Sequence, residues 1–244
     1  FLATANARPG ARLLLQRDAA QRSFGLLLDL GLARRIAAPP RVGESLVHHV
    51  LELVVVLGAI GVLLAEGKWD IRGIIEEDGY QGPSSLGLPV LGTDSDLETL
   101  VDAASAVFIA VGQLPSPSVR RGLHDRAHQS CAIFPVVQSP RAYVSPMASV
   151  GIGSIVMHGA IVNTRAQVGK QCIINSQALV EHDAMLGDFC HVSTGALING
   201  GASIGEGCFI GSGAIVREGV VIGDDVVVGV GVRVMKDLPS GTVV

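Results

Sequence analysis

The 244-residue sequence has few aromatic residues, no long hydrophobic run and no excess of basic charge. Aromatic residues make up only 4% of the chain, so its core must be built mainly from small and branched aliphatic side chains. Residues 1–50 carry seven arginines and three acids, a charge of +4. Because the whole chain has a net charge of −4, residues 51–244 carry −8, which argues against a nucleic-acid-binding surface there. The longest apolar run, Leu53 to Ala65, has 13 residues, fewer than the roughly 20 of a membrane-spanning helix, so no membrane span is predicted.

Residues 1–50 are rich in alanine, leucine and arginine and show no sustained periodicity. An Arg-rich, acid-poor leader is typical of an organelle transit peptide, although this segment contains only two serines. A docking helix is the second interpretation. The third, which we favour, is a poorly ordered extension. We assign no function to this segment.

Residues 51–138 alternate between strand-like and helix-like segments. Strands are predicted over residues 51–59, 69–78 and 106–112, and helices over residues 60–67, 95–105 and 118–129. This βαβ alternation predicts a small Rossmann-like α/β domain with a parallel sheet, whose ligand would bind at the carboxyl ends of the strands. Those ends carry Gly58, Ala59, Glu76 to Asp78 and Gly112, and we take Gly58, Ala59 and Gly112 as candidate substrate-binding residues.

Residues 139–244 contain an aliphatic residue at every sixth position. A small or branched residue stands two places before almost every one of them, so both positions are predicted to face inward. The recurring residues are Val144, Val150, Val156, Val162, Val168, Ile174, Val180, Leu186, Val192, Ile198, Ile204, Ile210, Val216, Ile222, Val228 and Val234. This hexapeptide repeat predicts a left-handed parallel β-helix, an all-β prism of stacked triangular coils.

A longer period of 18 residues lies on top of the hexapeptide, so three hexapeptides make one coil. Glycine follows the aliphatic residue at positions 151, 169, 187, 205 and 223. Cys172, Cys190 and Cys208 are also 18 apart and fall in the inward column of small residues. With Cys131 they form no CxxC pair, so we predict reduced thiols in a cytosolic protein and no metal site.

Two histidines of the repeat are predicted to face outward, His182 at a corner and His191 on a strand. The surrounding stretch from Ile173 to Val216, IINSQALVEHDAMLGDFCHVSTGALINGGASIGEGCFIGSGAIV, resembles the bacterial sialic acid O-acetyltransferase family and its relatives that N-acetylate nucleotide-linked amino sugars. The resemblance covers about residues 51–244. It implies an acyltransferase of surface glycan synthesis that uses acetyl-CoA, needs no metal, acts on a sugar or nucleotide-sugar acceptor and assembles as a homotrimer.

The resemblance also implies roles for individual residues. His182 matches the general base, Asp183 the acid that orients it, and Asn175 a polar residue beside the base. His191 matches the histidine that contacts acetyl-CoA, and the cofactor channel is lined at Gly200, Ser212 and Val230. These roles are chemically reasonable, because the attacking amine or hydroxyl must lose a proton, and imidazole titrates near neutral pH. The backbone of Gly200 and Gly201 is a candidate donor to the tetrahedral oxyanion.

The sequence departs from the family after the first predicted strand. The family has a Gly-rich loop with a histidine there, whereas here the segment LGA runs directly into IGVLLAEG. The sequence therefore predicts that about six residues of the sugar-nucleotide loop are missing.

Two rival functions fit the same fold. A zinc-dependent carbonic anhydrase would place two histidine ligands in one column, but His158, His182 and His191 are separated by 24 and 9 residues, which are not multiples of 18. The second rival is a non-catalytic trimeric scaffold or binding module. Turnover of acetyl-CoA with amino sugars would distinguish an enzyme from a scaffold.

Overall fold

A computed structural model describes residues 12–16, 58–76, 88–101, 105–113 and 116–244. The strands of its first part are β1 (Arg12–Gln16), β2 (Asp70–Glu76), β3 (Val90–Thr93) and β4 (Ser105–Ile109). The helices are α1 (residues 58–66), α2 (Leu97–Leu100), which follows a 3-10 turn at Asp94–Asp96, and α3 (Ser118–Gln129). The four strands form a parallel sheet in the order β3-β2-β1-β4, as expected for an α/β domain.

The start of this domain differs from the prediction. Arg12–Gln16 pairs with both β2 and β4, so the expected boundary at residue 51 is wrong for these five residues. Residues 58 and 59, predicted as the end of a strand, are helical, and residues 51–57 lie outside the described part of the chain. An apolar run of this length fits a buried strand or a buried helix, and here Ala59, Ile60, Val62 and Leu63 form the buried side of α1.

The β-helix begins with β5, slightly before residue 139, and has three faces. Face 1 consists of β5 (Val137–Gln138), β8 (Ile155–Val156), β11 (Ile173–Ile174), β14 (His191–Val192), β17 (Phe209–Ile210) and β20 (Val227–Val228). Face 2 consists of β6 (Tyr143–Val144), β9 (Ile161–Val162), β12 (Leu179–Val180), β15 (Leu197–Ile198), β18 (Ile215–Val216) and β21 (Arg233–Val234). Face 3 consists of β7 (Ser149–Val150), β10 (Gln167–Val168), β13 (Met185–Leu186), β16 (Ser203–Ile204) and β19 (Val221–Ile222).

The left-handed β-helix prediction is confirmed in its register. From β6 onward, the second residue of every strand is one of the recurring aliphatic residues, and these pack with the small-residue column into one continuous core. The stacked glycines explain the 18-residue period: a Cβ on Gly187 would lie 2.8 Å from the carbonyl carbon of Gly205. Neighbouring coils approach too closely at this corner for any side chain.

The three inward cysteines are free thiols with no exposed surface. Their Sγ atoms donate to the carbonyl oxygens of Gly187, Gly205 and Gly223 at 3.2, 3.0 and 3.0 Å respectively. Ser154, one coil earlier, makes the same contact with Gly169 at 2.9 Å. A small side chain that can donate a hydrogen bond is therefore suited to this column.

The α/β domain packs on face 1. Ala59, Ile60, Ile74 and Phe108 form a core with Ile155 and further outward residues of that face. No helix in the described residues is long and apolar enough to span a membrane.

A buried arginine at the start of α3 ties this domain to the β-helix. Arg120 donates to Gln113 Oε1 at 2.8 Å and to the carbonyl of Phe189 at 2.7 Å, while Gln113 donates to the carbonyl of Gly207 at 2.7 Å. Burial lowers the pKa of Arg120 to about 10, at which it still carries its charge at neutral pH. These three bonds connect the end of β4 and α3 to two coils of the β-helix.

Candidate active site

His182 and Asp183 occupy the turn between β12 and β13, where face 2 meets face 3. From residue 153 to residue 231 every turn of the prism has one residue with positive φ, and Asp183 takes that position with φ of 60°. Its Oδ2 lies 2.9 Å from His182 Nδ1. Because a carboxylate only accepts, the neutral imidazole holds its proton on Nδ1, and Nε2 is left with a free lone pair. The His182 side chain is 58% exposed, so this lone pair is accessible.

Asp183 is held from its other side by Arg165, one coil earlier. Arg165 Nε donates to Asp183 Oδ1 at 2.6 Å, and its Nη2 donates to Oδ2 at 2.8 Å. The Arg165 guanidinium, and secondarily His182, hold the pKa of Asp183 well below its usual range. The carboxylate therefore remains ionised wherever the imidazole can act as a base.

The backbone of His182 is fixed by the preceding residue, Glu181, and by the adjacent coil. Glu181 Oε2 accepts from the His182 amide at 3.0 Å and from Asn163 Nδ2 at 2.9 Å. On the other side, the amide of Gly201 donates to the His182 carbonyl at 2.9 Å. Because the Gly201 amide is already occupied, its expected role as an oxyanion donor is wrong. The Gly200 amide has no partner among the described residues and keeps that capacity.

Sequence reasoning missed Arg165, Asn163 and Glu181. The signal that could have found the first two is the coil length, since Arg165 lies 18 residues before Asp183 and Asn163 lies 18 before Glu181. Residues one coil apart are nearest neighbours in a β-helix.

Gly200 lies against the imidazole of His182. A Cβ at this position would come within 2.7 Å of His182 Nε2 and 2.8 Å of Cε1. A methyl group at Gly200 would therefore move the ring, and it would crowd the nitrogen that must accept a proton.

We expect Gly200→Ala to lower kcat/KM for acetyl transfer by about one to two orders of magnitude, because a base displaced by about an ångström loses its alignment. The melting temperature should change little, since the exposed ring can swing away. Gly122→Ala on α3 is the control, because a Cβ there meets nothing within 4 Å. Wild-type kinetics for Gly200→Ala, measured by release of free CoA, would show that the ring orientation seen here is not needed for turnover.

His191 occupies a different environment, buried on face 1 at only 5% exposure. Its ring meets Phe209 edge to face, with centroids 5.1 Å apart. Asn175 Nδ2 lies 3.5 Å from His191 Nε2, while Asn175 Oδ1 accepts from the Ser176 amide at 2.7 Å. Burial, and secondarily the charge of Arg120, lowers the pKa of His191 to about 3, so its ring is neutral.

Asn175 was predicted beside His182, and within one chain this is wrong. Asn175 follows β11 of face 1, whereas His182 stands at the corner between faces 2 and 3. The whole width of face 2 separates them around the prism, which is why residues close in sequence have no contact. The structure instead pairs Asn175 with His191.

The low pKa of His191 predicts a loss of stability in acid. The unfolded chain binds a proton near pH 6.5 and the folded chain only near pH 3, so the free energy of unfolding should fall by about 1.4 kcal/mol per pH unit between these values from this residue alone. His191→Leu should remove this slope. Urea unfolding of both proteins from pH 7.5 to 4.5 measures the difference, and equal slopes would contradict a neutral buried His191.

The other residues assigned to the cofactor lie at the corner between faces 1 and 2. Ser212 Oγ is 2.9 Å from Ser193 Oγ, and Val230 is 76% exposed. His191 stands on β14 just before this same corner. Of the predicted cofactor residues, only Gly200 shares a corner with His182.

The candidate substrate residues are distributed differently from the prediction. Gly58 and Ala59 lie in α1 rather than at a strand end; Ala59 is buried, and a Cβ on Gly58 would collide with Met157 Cε on face 1. Gly112 follows β4 and is buried, at the carboxyl edge of the sheet as expected. The predicted strand over residues 51–59 is therefore wrong at residues 58 and 59, and its other residues lie outside the described part of the chain. In the described sheet β1 stands between β2 and β4, and residues 17–57, which follow β1, are not described.

Among the described residues, no group of three histidine, cysteine or acidic side chains is arranged to hold a metal ion.

Comparison with known proteins agrees with this fold. Residues 201–236 match the family described as bacterial transferase hexapeptide (six repeats). No curated protein sequence matches the chain. The chain thus has a β-helix of the hexapeptide transferase type. Solved structures that resemble it over most of its length include acetyltransferases.

Two of these neighbours are acetyltransferases that align over almost the whole chain. The acetyltransferase domain of PglB from Neisseria gonorrhoeae FA1090 is 27% identical with a TM-score of 0.73 over 96% of both chains, and it is also known in complex with acetyl coenzyme A. PerB from Caulobacter crescentus, in complex with CoA and GDP-perosamine, is 28% identical with a TM-score of 0.72 over 97% of this chain and 94% of that chain. WeeI from Acinetobacter baumannii AYE, at 16% identity and a TM-score of 0.53, shares the fold.

Proposed function

We propose that this protein is an acetyl-CoA-dependent acetyltransferase whose acceptor is the amine of a nucleotide-linked amino sugar. The observation that carries the proposal is the His182–Asp183 pair, with Nδ1 and Oδ2 2.9 Å apart and the ring exposed on the β-helix corner. Acetyl-CoA as co-substrate is supported by the PglB complex, and a nucleotide-linked amino sugar by the PerB complex with CoA and GDP-perosamine.

The mechanism follows from the tautomer of His182. Nε2 accepts the proton of the amine as nitrogen attacks the thioester carbonyl, and the Asp183 carboxylate stabilises the imidazolium that forms. The tetrahedral intermediate then breaks its carbon–sulfur bond, and the proton passes from the imidazolium to the departing thiolate. The Gly200 amide, on the same corner, is the candidate donor to the oxyanion.

We further propose a trimer with face 2 toward its axis. The outward residues of that face are apolar in five of six strands: Tyr143, Ile161, Leu179, Leu197 and Ile215. Tyr143 and Ile161 of this row are 55% and 39% exposed, and a contiguous exposed apolar patch is typical of a protein–protein interface. Face 3 carries Ser149, Gln167, Met185, Ser203 and Val221 in the corresponding positions, so only two of its five strands are apolar there. Face 1 is covered by the α/β domain.

This packing explains why His182 and His191 stand on different sides of the prism. When three prisms turn face 2 toward one axis, the corner between faces 2 and 3 of each meets the corner between faces 1 and 2 of the next. His182 and Asp183 of one subunit then approach the Asn175, His191 and Ser212 region of its neighbour. The proposed active site is therefore shared between two subunits, with three equivalent sites per trimer.

The experiment is an acetyl transfer assay with acetyl-CoA and a panel of nucleotide-linked amino sugars, each compared with its hydroxyl counterpart. An enzyme of the proposed kind releases CoA only with an amino sugar and gives a product heavier by one acetyl group. A non-catalytic scaffold releases none with any member of the panel. Light scattering at micromolar concentration tests the trimer, and a monomer there would contradict the shared site.

A further inference from the structure

The corner that presents His182 includes an arginine which the proposed mechanism does not use. The Arg165 side chain is 62% exposed, and it contacts Asp183 through two parallel hydrogen bonds, one from Nε and one from Nη2. We call this two-pronged donor arrangement the fork. The same Oδ2 that accepts from Arg165 Nη2 also faces His182 Nδ1. Arg165, Asp183 and His182 therefore form a continuous chain of charge-assisted contacts that ends at the base.

The backbone at Arg165 carries a conformational cost. Its φ is 56°, in the left-handed region, while Gly201 and Gly219 occupy the corresponding positions in later coils. A residue with a Cβ is disfavoured in this region relative to glycine. Of the positive-φ positions in this column, the two occupied by residues other than glycine are Arg165 and Asp183, and they contact each other.

An exposed pair of this kind contributes little to folding, because solvent screens the charges and the side chains lose freedom. Its geometric effect is larger, since a bidentate guanidinium fixes the plane of a carboxylate as a single contact cannot. Here the fixed plane directs Oδ2 at His182 Nδ1. The positive guanidinium of Arg165 also neutralises part of the negative charge of the Asp183 carboxylate. The carboxylate therefore attracts the His182 imidazolium less strongly than it would alone.

We propose that Arg165 is a positioning residue for acetyl transfer, which orients the Asp183 carboxylate toward His182 and moderates the basicity of the imidazole. This inference rests on the proposed function. It assigns Arg165 no contact with substrate, so all of its influence passes through Asp183.

Two substitutions separate orientation from charge. Arg165→Ala removes both, so we expect kcat to fall about tenfold, the KM values to stay within about twofold, and the acid limb of kcat/KM to move to higher pH. Arg165→Lys keeps the charge and loses the fork, so kcat should fall while the acid limb stays in place. Arg72→Ala, at an exposed arginine on β2, should resemble the wild type in every respect.

A third comparison identifies the route. In an Asp183→Asn background, adding Arg165→Ala should change nothing, because the group through which Arg165 acts is already altered. If Arg165→Ala lowers kcat by the same factor in both backgrounds, Arg165 acts on the substrate directly and the proposal is overturned. Unchanged kcat and acid limb in Arg165→Ala itself would overturn it as well.

A readout without turnover keeps this inference separate from the proposed function. The ¹⁵N shifts of the His182 ring report which nitrogen carries the proton, and the wild type should show the Nδ1–H form. Arg165→Ala should populate the other tautomer measurably, whereas Arg72→Ala should not. If His182→Ala retains full acetyl transfer, the proposed function fails whatever the tautomer result. If His182→Ala is inactive and Arg165→Ala shows the wild-type tautomer, only the present inference fails.

Discussion

Replacement of His182 by alanine is expected to lower kcat/KM for acetyl transfer by about two to four orders of magnitude, the usual contribution of a positioned general base. The side chain is exposed, and its hydrogen-bonding partner is Asp183, which Arg165 continues to hold. Folding and assembly should therefore be unchanged. The variant therefore tests the chemical step of the reaction. We expect kcat to fall and the affinity for acetyl-CoA to stay the same.

The pH dependence gives a second signature of the same residue. Only neutral imidazole accepts the proton, so kcat/KM should fall as pH decreases and His182 becomes protonated. Asp183 cannot cause this fall, because its pKa lies well below its usual range and it stays ionised throughout. The acid limb should be absent from the residual activity of His182→Ala.

His128→Ala is a suitable control, since His128 is an exposed histidine on α3, outside the β-helix. It should retain the wild-type rate and acid limb. If His182→Ala turned over at the wild-type rate, or if its residual activity kept the acid limb, His182 would have to be removed from the mechanism.

The β-helix could be predicted closely from the sequence because its period is local and strict. Every inward position from Val150 to Val234 belongs either to the six-residue column or to the small-residue column beside it, and both lie in one core. A coil has no long-range alternatives, because each strand pairs with residues 18 positions away. The adjacent pair His182–Asp183 was visible for the same reason.

The α/β domain could not be predicted as completely, because its pairing is not local. β1 pairs Arg12 with Asp70 and with Ser105, and nothing in the short segment RLLLQ distinguishes it from the rest of the Leu- and Arg-rich region. The contact between Asn175 and His191 was also missed. They are 16 residues apart, and only the assignment of both to face 1 shows that they meet.

A mixing experiment tests whether the active site is shared between subunits. His182→Ala and His191→Ala should each be nearly inactive as pure trimers, because every site then lacks one histidine. If the two proteins are unfolded together in equal amounts and reassembled, about three quarters of the trimers should be mixed. Each mixed trimer contains one interface at which an intact His182 meets an intact His191, so about a quarter of all sites should recover.

A site contained in one chain predicts no recovery, since every chain in the mixture lacks one of the two histidines. The matched negative control is a mixture of His182→Ala with Asp183→Asn. These residues lie on the same corner of the same chain, 2.9 Å apart, so no interface can combine them and activity should stay at the level of the parents.

Because His191 is buried, His191→Asn provides a second, polar variant in case the alanine variant assembles poorly. Recovery in the histidine mixture but not in the control would establish that His182 and His191 serve one thioester from different subunits. Mixed trimers shown by mass spectrometry to form without any recovery would contradict the shared site, and the two histidines would then need separate roles.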